Sequence, residues 1–417
     1  METMTSTLSS KDLMALEDKY GAHNYHPLGV VLAKGEGVYV WDVEGKRYFD
    51  FLSAYSAVNQ GHCHPRLVET ITKQASTLNL TSRAFYNDQL GVYEKFATEY
   101  FGYDKLLPMN TGAEGVETAI KICRKWGYEK KGIPNNQAKI IVCGQNFHGR
   151  TVTIISFSSD PDARGHFGPY TPGFEAIPYN DLDALKTALE KDGANIAGFL
   201  VEPIQGEAGV NVPDEGFLAG AYDLCKAHNV LFIGDEIQTG IARTGKLLAC
   251  DHDNVRPDIL ILGKALSGGM YPVAAVLADD YIMEVIKPGQ HGSTYGGNPM
   301  ACAVAMEALQ IVTDEQLADN AMQLGAIFRH RMNKLAEKTN LVSKVRGKGL
   351  LNAILINDTP DSSTAMDICI ALSQNGLLAK PTHGNIIRFA PPLVMNEAEL
   401  DECCSIIENT ILNFKKK

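Results

Sequence analysis

The sequence predicts an α/β protein, with a large domain on a mainly parallel, helix-covered sheet and a smaller α+β domain built from both termini. Three observations predict it. Between about residues 106 and 276, short apolar runs alternate with segments of helical period. Those runs are nearly continuous rather than alternating, the pattern of strands buried on both faces. Beyond residue 300, long helical stretches lead into a mixture of short strands and helices.

Taken in order, a polar lead ends at Asp18, and residues 37–51 read as a hairpin. Val38-Tyr39-Val40-Trp41 and Tyr48-Phe49-Asp50-Phe51 flank the turn-like Glu44-Gly45-Lys46. Strands are expected at 140–143, 197–201, 230–233, 259–262 and 273–277, and helices at 114–128, 182–190 and 217–228. Helical stretches follow at 300–312 and 315–338, and then a small unit over 342–417. The expected division is 1–57 contributing to the small domain, 58–300 as the large domain, and 301–417 as the C-terminal small domain with its connecting helix.

Composition narrows the class of function. Hydrophobic residues make up 45% and charged residues 21% of the 417, which is ordinary for a soluble globular chain. A net charge of -11, with no basic block beyond the lysines at 415–417, argues against nucleic acid as a partner. That lysine tail reads as a solvated end. No apolar run approaches membrane-spanning length. The first twenty residues mix Lys11 and Lys19 with Glu2, Asp12, Glu17 and Asp18, and they hold no Arg and no apolar core. They fit neither a signal nor a transit peptide, so the expected location is cytoplasmic. The mitochondrial matrix is the alternative should a presequence precede this sequence. Nine scattered cysteines read as reduced thiols. No metal site is expected: His62-Cys63-His64 points its side chains to opposite faces of an extended chain, and no second ligand cluster follows.

Ligands in open α/β sheets bind beyond the carboxyl ends of the strands. Val230-Leu231-Phe232-Ile233-Gly234 ends in Asp235-Glu236, and Ile259-Leu260-Ile261-Leu262 ends in Gly263-Lys264. An acid and a lysine thus stand at two strand exits that can face one ligand. Amine chemistry on pyridoxal phosphate needs this pair. The lysine amine condenses with the cofactor aldehyde as a Schiff base, and the carboxylate keeps the ring nitrogen protonated so that the ring accepts electrons. The freed lysine then shuttles the substrate proton. Alone, Lys264 reads as a surface group and Asp235-Glu236 as a helix cap, so a phosphate site is needed beside them. Two segments qualify. In Asn110-Thr111-Gly112-Ala113-Glu114, Thr111 and Glu114 form a capping box, and the N–H groups of Gly112 and Ala113 face an anion. Gly292-Ser293-Thr294-Tyr295-Gly296-Gly297 is glycine-rich and carries two hydroxyls. By themselves the first is a well-capped helix and the second a turn. The G-x-x-x-x-G-K pattern at 240–246 is set aside, because Leu247 stands where a nucleotide-binding loop needs Ser or Thr.

With these segments in hand, the chain resembles the class III, ω-amino-acid branch of the fold-type I pyridoxal-phosphate aminotransferases. The resemblance rests on the Asn110–Glu114 segment with Phe147-His148-Gly149-Arg150-Thr151, Glu202-Pro203-Ile204-Gln205-Gly206-Glu207, Asp235-Glu236-Ile237-Gln238-Thr239-Gly240 and Gly263-Lys264-Ala265-Leu266, in family order. It runs from about Tyr20 to the last helix. Tyr20-Gly21-Ala22-His23-Asn24-Tyr25-His26-Pro27, Tyr55-Ser56-Ala57-Val58-Asn59-Gln60-Gly61-His62 and Ile387-Arg388-Phe389-Ala390-Pro391-Pro392 are similar to the ornithine-using subgroup. His148 departs from members of that subgroup that carry Trp there.

The resemblance implies a role for each matching residue. Lys264 is the imine lysine and Asp235 the ring-nitrogen partner. Gln238 bonds the phenolic oxygen, Phe147 stacks on the ring, and Gly112 and Ala113 hold the phosphate. Thr294, with Ser293 nearby, completes that site from the neighbouring subunit, which implies a homodimer or a higher oligomer. Arg150 takes the α-carboxylate of ornithine, Tyr25 bonds its α-amine, and Tyr55 shapes the pocket. Arg388 takes the α-carboxylate of 2-oxoglutarate, and Glu207 hides Arg388 while ornithine is bound. The implied reaction is δ-transamination of L-ornithine with 2-oxoglutarate. Other ω-amines, acetylornithine and 4-aminobutyrate, are the nearest alternatives, and Tyr55 and the Tyr25 segment argue against them. A non-catalytic cofactor carrier is the alternative of another kind, and the presence of both Lys264 and Asp235 argues against it.

Overall fold

The computed structural model describes residues 8–416; Glu2 and Lys417, which entered the charge reading, lie outside them. Its centre is a seven-stranded sheet. Across it the strands run Lys105–Met109, Ala274–Ala278, Ile259–Leu262, Leu231–Asp235, Ile196–Val201, Lys139–Cys143 and Phe174–Ile177. Ala274–Ala278 is antiparallel to both of its neighbours, and the remaining pairings are parallel. The prediction of a mainly parallel sheet therefore holds.

Every residue of Ile196–Val201, Leu231–Asp235, Ile259–Leu262 and Ala274–Ala278 is buried, which explains their unbroken apolar character. The pleat sends alternate side chains to two cores. Ile140, Val142, Leu231 and Ile233 pack with Val116, Ala119 and Ile120 of the helix Gly112–Trp126. Ile141, Cys143 and Phe232 pack on the opposite face with Leu185 and Leu189 of Leu182–Asp192 and Ala221 and Cys225 of Phe217–Ala227.

Two strands of this sheet went unpredicted, and both are its edges. Lys105–Met109 contains Pro108, which a strand tolerates at an edge, and only one of its neighbours is a strand. Phe174–Ile177 has three of its four residues partly or fully exposed, so it lacks the apolar run of a central strand. The strand expected at 273–277 lies one residue later, and the helix expected at 114–128 starts at Gly112 and widens into a π-turn at Gly127–Lys131. The polar lead also holds an unpredicted helix, Ser10–Tyr20, capped reciprocally by Ser9 and Asp12. It buries no side chain, and its apolar residues Leu13, Met14, Leu16 and Tyr20 stay partly or fully exposed.

The hairpin forms as Tyr39–Asp42 against Arg47–Asp50, with Leu32–Glu36 added on its outer side. Leu377–Leu378, from the far end of the chain, pairs in parallel with Arg47–Asp50, so both ends of the chain share one sheet. A third sheet, ordered Val342–Lys348, Leu351–Ile356, Ile386–Phe389 and Lys380–Thr382, carries the helices Thr364–Gln374 and Glu397–Asn413. The long helices Pro299–Asp314 and Leu317–Ala336 join the halves. Lys416 is tied to Asp358 at 2.6 Å, so the lysine tail is not wholly solvated as expected. No helix among the described residues is long and apolar enough to cross a membrane. All nine cysteines are free, and eight of them are buried.

Candidate active site

Leu231–Asp235 and Ile259–Leu262 are parallel neighbours in a register that sets Asp235 opposite Ile261. Their carboxyl ends therefore open side by side. Asp235 closes the first strand, and Lys264 opens a short turn, Lys264–Ser267, three residues past that register. Lys264 itself adopts φ +46°, a left-handed conformation that is uncommon for a side-chain-bearing residue. Both residues line one cavity with Gly112, Ala113, Phe147, His148 and Gln238. Tyr25, Arg150, Ser293 and Thr294 are not in its wall.

Asp235 is 4% exposed, and its carboxyl group is fully engaged. Oδ1 accepts from the N–H of Ile237 at 3.1 Å, and Oδ2 meets Nδ1 of the buried His148 at 2.6 Å. Burial acts to lower the basicity of His148, but the Asp235 carboxylate outweighs it and holds the imidazole above its ordinary pKa. Nε2 of His148 is buried with no hydrogen-bond partner among the described residues. Glu202, at the exit of the next strand, accepts the N–H of Phe147 at 2.9 Å and fixes that ring's backbone. Burial pushes the Glu202 carboxyl up to about 7.

Lys264 is half-buried among these groups. Desolvation first, and the Arg388 charge second, lower its pKa to about 8. At pH 7 roughly a tenth of the amine is thus unprotonated and nucleophilic, far more than for an ordinary lysine.

Across the cavity, Thr111 caps the helix Gly112–Trp126 in the expected capping box with Glu114. The N–H groups of Gly112 and Ala113 lie in the first turn, where no intrahelical acceptor exists. A Cβ on Gly112 would stand 2.9 Å from Ile237, so glycine is what lets this turn sit against the strand exit. Asn110 Nδ2 donates to Ser293 Oγ at 2.8 Å, which ties the glycine-rich segment to the residue before this cap, outside the cavity wall of its own chain.

A second group of charges adjoins the first. Arg388 is buried and donates from Nη1 to Glu207 Oε1 at 3.1 Å, and from Nη2 to Ser56 Oγ at 3.2 Å. Its guanidinium lies 5.5 Å from the Tyr55 ring centroid. Gln238 Nε2 donates to the same Glu207 oxygen at 3.2 Å, while Gln238 Oε1 is left without a partner. Arg150 is exposed beside Phe147, with 5.9 Å from its guanidinium to the ring centroid, and Tyr25 is 68% exposed. Thr294 is exposed as well.

Three residues of this site received no individual role from the sequence: His148, Glu202 and Ser56. Glu202 follows a central strand directly, so the strand-exit rule that selects Asp235 selects it too. His148 lies 87 positions from Asp235, and only the fold shows them bonded.

These residues fit pyridoxal phosphate. A half-buried, partly neutral amine suits an aldehyde, and an acid paired with His148 suits a pyridine nitrogen. Free first-turn N–H groups suit a phosphate, and an aromatic wall with unpartnered amide oxygen suits the ring. The fold and this constellation define a fold-type I, pyridoxal-phosphate-dependent transferase of amino groups. The family model "Aminotransferase class-III" matches residues 20–411, and this chain belongs to that family.

Individual relatives sharpen the picture. The "Ornithine aminotransferase, mitochondrial" of Drosophila melanogaster is 60% identical over 414 residues, spanning 99% of this chain and 94% of its own length. A structure of the ornithine aminotransferase from Toxoplasma gondii, described as having partial occupancy of PLP at its active site, matches with a TM-score of 0.95 and 50% identity. It covers 97% of this chain and 94% of its own. The structure of an acetylornithine aminotransferase from Elizabethkingia anophelis matches with a TM-score of 0.91 and 65% identity over 98% of this chain and 100% of its own.

The lowered basicity of Lys264 has a measurable consequence. Uptake of pyridoxal phosphate by cofactor-free protein is expected to accelerate as pH rises, by about tenfold per unit below pH 8, and to level off above it. A rate that falls through this range contradicts the assignment of that amine as the nucleophile.

Proposed function

We propose that this enzyme moves the δ-amino group of L-ornithine to 2-oxoglutarate, yielding L-glutamate 5-semialdehyde and L-glutamate. The semialdehyde then cyclises to pyrroline-5-carboxylate. The observation that carries this reading is the Arg388–Glu207 pair beside the cavity. A reaction whose two substrates differ by one carboxylate needs a cation that is hidden for one and available to the other.

Bound pyridoxal phosphate supplies an aldehyde to take up the amino group and a ring to spread the electron pair left when a C–H proton departs. The chain's own residues do the rest. The first-turn N–H groups of Gly112 and Ala113 hold the phosphate dianion, with Thr294 and Ser293 contributed by a neighbouring subunit. Phe147 covers one face of the ring, Gln238 bonds its phenolic oxygen, and Asp235, backed by His148, holds a proton at the ring nitrogen. Lys264, once its amine is free, would take the proton from the substrate carbon that bears the amino group and deliver it to the carbon that had been the cofactor's aldehyde.

Ornithine is held by its far end. Arg150 is exposed beside Phe147 and has no ion-pair partner among the described residues, which suits it to grip the α-carboxylate with two parallel bonds. Tyr25 bonds the α-amine and Tyr55 bounds the pocket. Glu207 neutralises Arg388 during this half of the reaction. When 2-oxoglutarate binds, Glu207 moves aside, Arg388 takes the α-carboxylate, and Arg150 takes the distal one.

A homodimer is part of this reading. Tyr86 is 100% exposed, Phe85 73%, Tyr25 68% and Tyr295 51%, large aromatic side chains whose individual exposure is consistent with cover by a second copy. Residues 58–300 form the cofactor-binding domain, with 1–57 and 301–417 in the smaller one. The compartment is the cytoplasm or, as the Drosophila relative's name suggests, the mitochondrial matrix.

The Elizabethkingia match favours acetylornithine as a second reading. An acetylated α-amine cannot donate as an ammonium to Tyr25, so the two substrates separate cleanly. With cofactor-replete protein and 2-oxoglutarate, ornithine is expected to give pyrroline-5-carboxylate at a kcat/KM at least about tenfold above that for acetylornithine. No pyrroline product removes the proposal, and a reversed preference transfers it to acetylornithine.

Replacing Glu207→Ala leaves Arg388 unmasked. Reaction at α-amines relative to the δ-amine is expected to rise by about tenfold, the magnitude of one charge-assisted contact. An unchanged ratio of the two rates contradicts the masking role.

A further inference from the structure

If Glu207 leaves Arg388 when the second substrate arrives, something else must hold the guanidinium in orientation. Among the described residues its other hydrogen bond is to Ser56 Oγ, at 3.2 Å, and its Nε has no partner. The Tyr55 ring, 5.5 Å away, supports a face of the guanidinium but gives no in-plane direction.

Ser56 is 1% exposed and closes the turn Ser53–Ser56, whose four residues all have positive φ: 48°, 47°, 60° and 72°. A left-handed turn of four successive non-glycine residues is disfavoured for L-amino acids and persists only where its surroundings hold it. Here they do. Asp50 Oδ1 accepts the N–H groups of Leu52 and Ser53, each at 2.9 Å, and Oδ2 is bonded to His62 at 2.7 Å. The Ser53 carbonyl accepts from Ala57 at 2.8 Å and Val58 at 3.1 Å. Just beyond, Asn59 is clasped by the buried Arg243 and by the N–H of Leu393 at 2.7 Å. The hydroxyl of Ser56 is therefore aimed by a braced backbone.

Glu207 contrasts with it. Its side chain is 26% exposed and, among the described residues, is held only by the two bonds from Arg388 and Gln238. One partner of Arg388 is able to move, and the other is fixed.

We propose that Ser56 is a positioning residue for the 2-oxoglutarate half of the reaction, keeping the Arg388 guanidinium in place after the Glu207 carboxylate withdraws. This rests on the reading that Arg388 receives the α-carboxylate of that substrate. The left-handed turn is then the device that fixes the hydroxyl independently of the moving glutamate.

The test uses the cofactor-loaded enzyme and follows each half-reaction separately by the cofactor's absorbance. In Ser56→Ala, the 2-oxoglutarate concentration for half-maximal rate is expected to rise by about tenfold, the loss of one hydrogen bond to a charged group. The ornithine half-reaction, in which Glu207 still braces Arg388, should change much less, by about twofold. Ser56→Gly removes the same hydroxyl but accepts positive φ freely, so it should fold and show the same split. Equal losses in both halves, no change for 2-oxoglutarate, or normal behaviour of Ser56→Gly beside an impaired Ser56→Ala would each overturn the proposal. Arg388→Gln is measured in parallel. If it leaves 2-oxoglutarate unaffected, the underlying reading of Arg388 fails and the inference with it. If it weakens 2-oxoglutarate while both Ser56 variants do not, only the role of Ser56 fails.

Discussion

The parallel register between Leu231–Asp235 and Ile259–Leu262 is the constraint on which the site depends. Side chains alternate faces along a strand, so a slip of one residue would turn Asp235 away from the cavity and bring Gly234 to its place. The register is held because both strands are buried on both faces, with Ile233 and Ile261 committed to one core and Phe232 to the other. Packing of apolar side chains thus fixes the position of an acid relative to an amine. Neither group contributes to that packing, and both depend on it.

Placing charges at this depth is costly, and the surrounding residues offset the cost by pairing. Asp235 has His148 and a backbone N–H, Glu202 has the N–H of Phe147, and Arg388 has Glu207 and Ser56. Removing one member of such a pair leaves its partner buried and uncompensated, which typically costs about 3–5 kcal/mol. Strain is a second cost. A left-handed residue other than glycine is disfavoured by about 1–2 kcal/mol, and the turn at Ser53–Ser56 has four in succession. Proteins retain strain of this kind where it positions something, and here it positions Tyr55 and Ser56 against Arg388. Three of the eleven buried polar side-chain atoms left without partners among the described residues, His148 Nε2, Gln238 Oε1 and Arg388 Nε, belong to residues in or beside the cavity.

Legibility in the sequence depends on where each signal resides. Central strands are legible because double burial makes each of them an unbroken apolar run. The edge strands Lys105–Met109 and Phe174–Ile177 are not, since a proline and partial exposure erase that run. The helix Gly112–Trp126 announces its start through Thr111 and Glu114, three positions apart, whereas Ser10–Tyr20, although capped, is short, lies in a polar lead and buries none of its side chains. Asp235 and Lys264 are legible because each stands at the exit of an apolar strand, which is a local signal. The His148–Asp235 bond, the Arg388–Ser56 bond across 332 positions and the handedness of the turn at 53–56 are tertiary facts with no local signature. Residues brought in by resemblance divide in the same way: Arg388 and Glu207 meet in one chain, while Thr294 lies outside the cavity wall.

The central claim is that the side-chain nitrogen of Lys264 carries the cofactor. Reconstituting the protein with pyridoxal phosphate, reducing it with borohydride and mapping the adduct by peptide mass spectrometry tests this directly. One pyridoxyl group per chain, on the peptide containing Lys264, is the expected result. A reduced group found on another lysine, or none on any, would contradict the account.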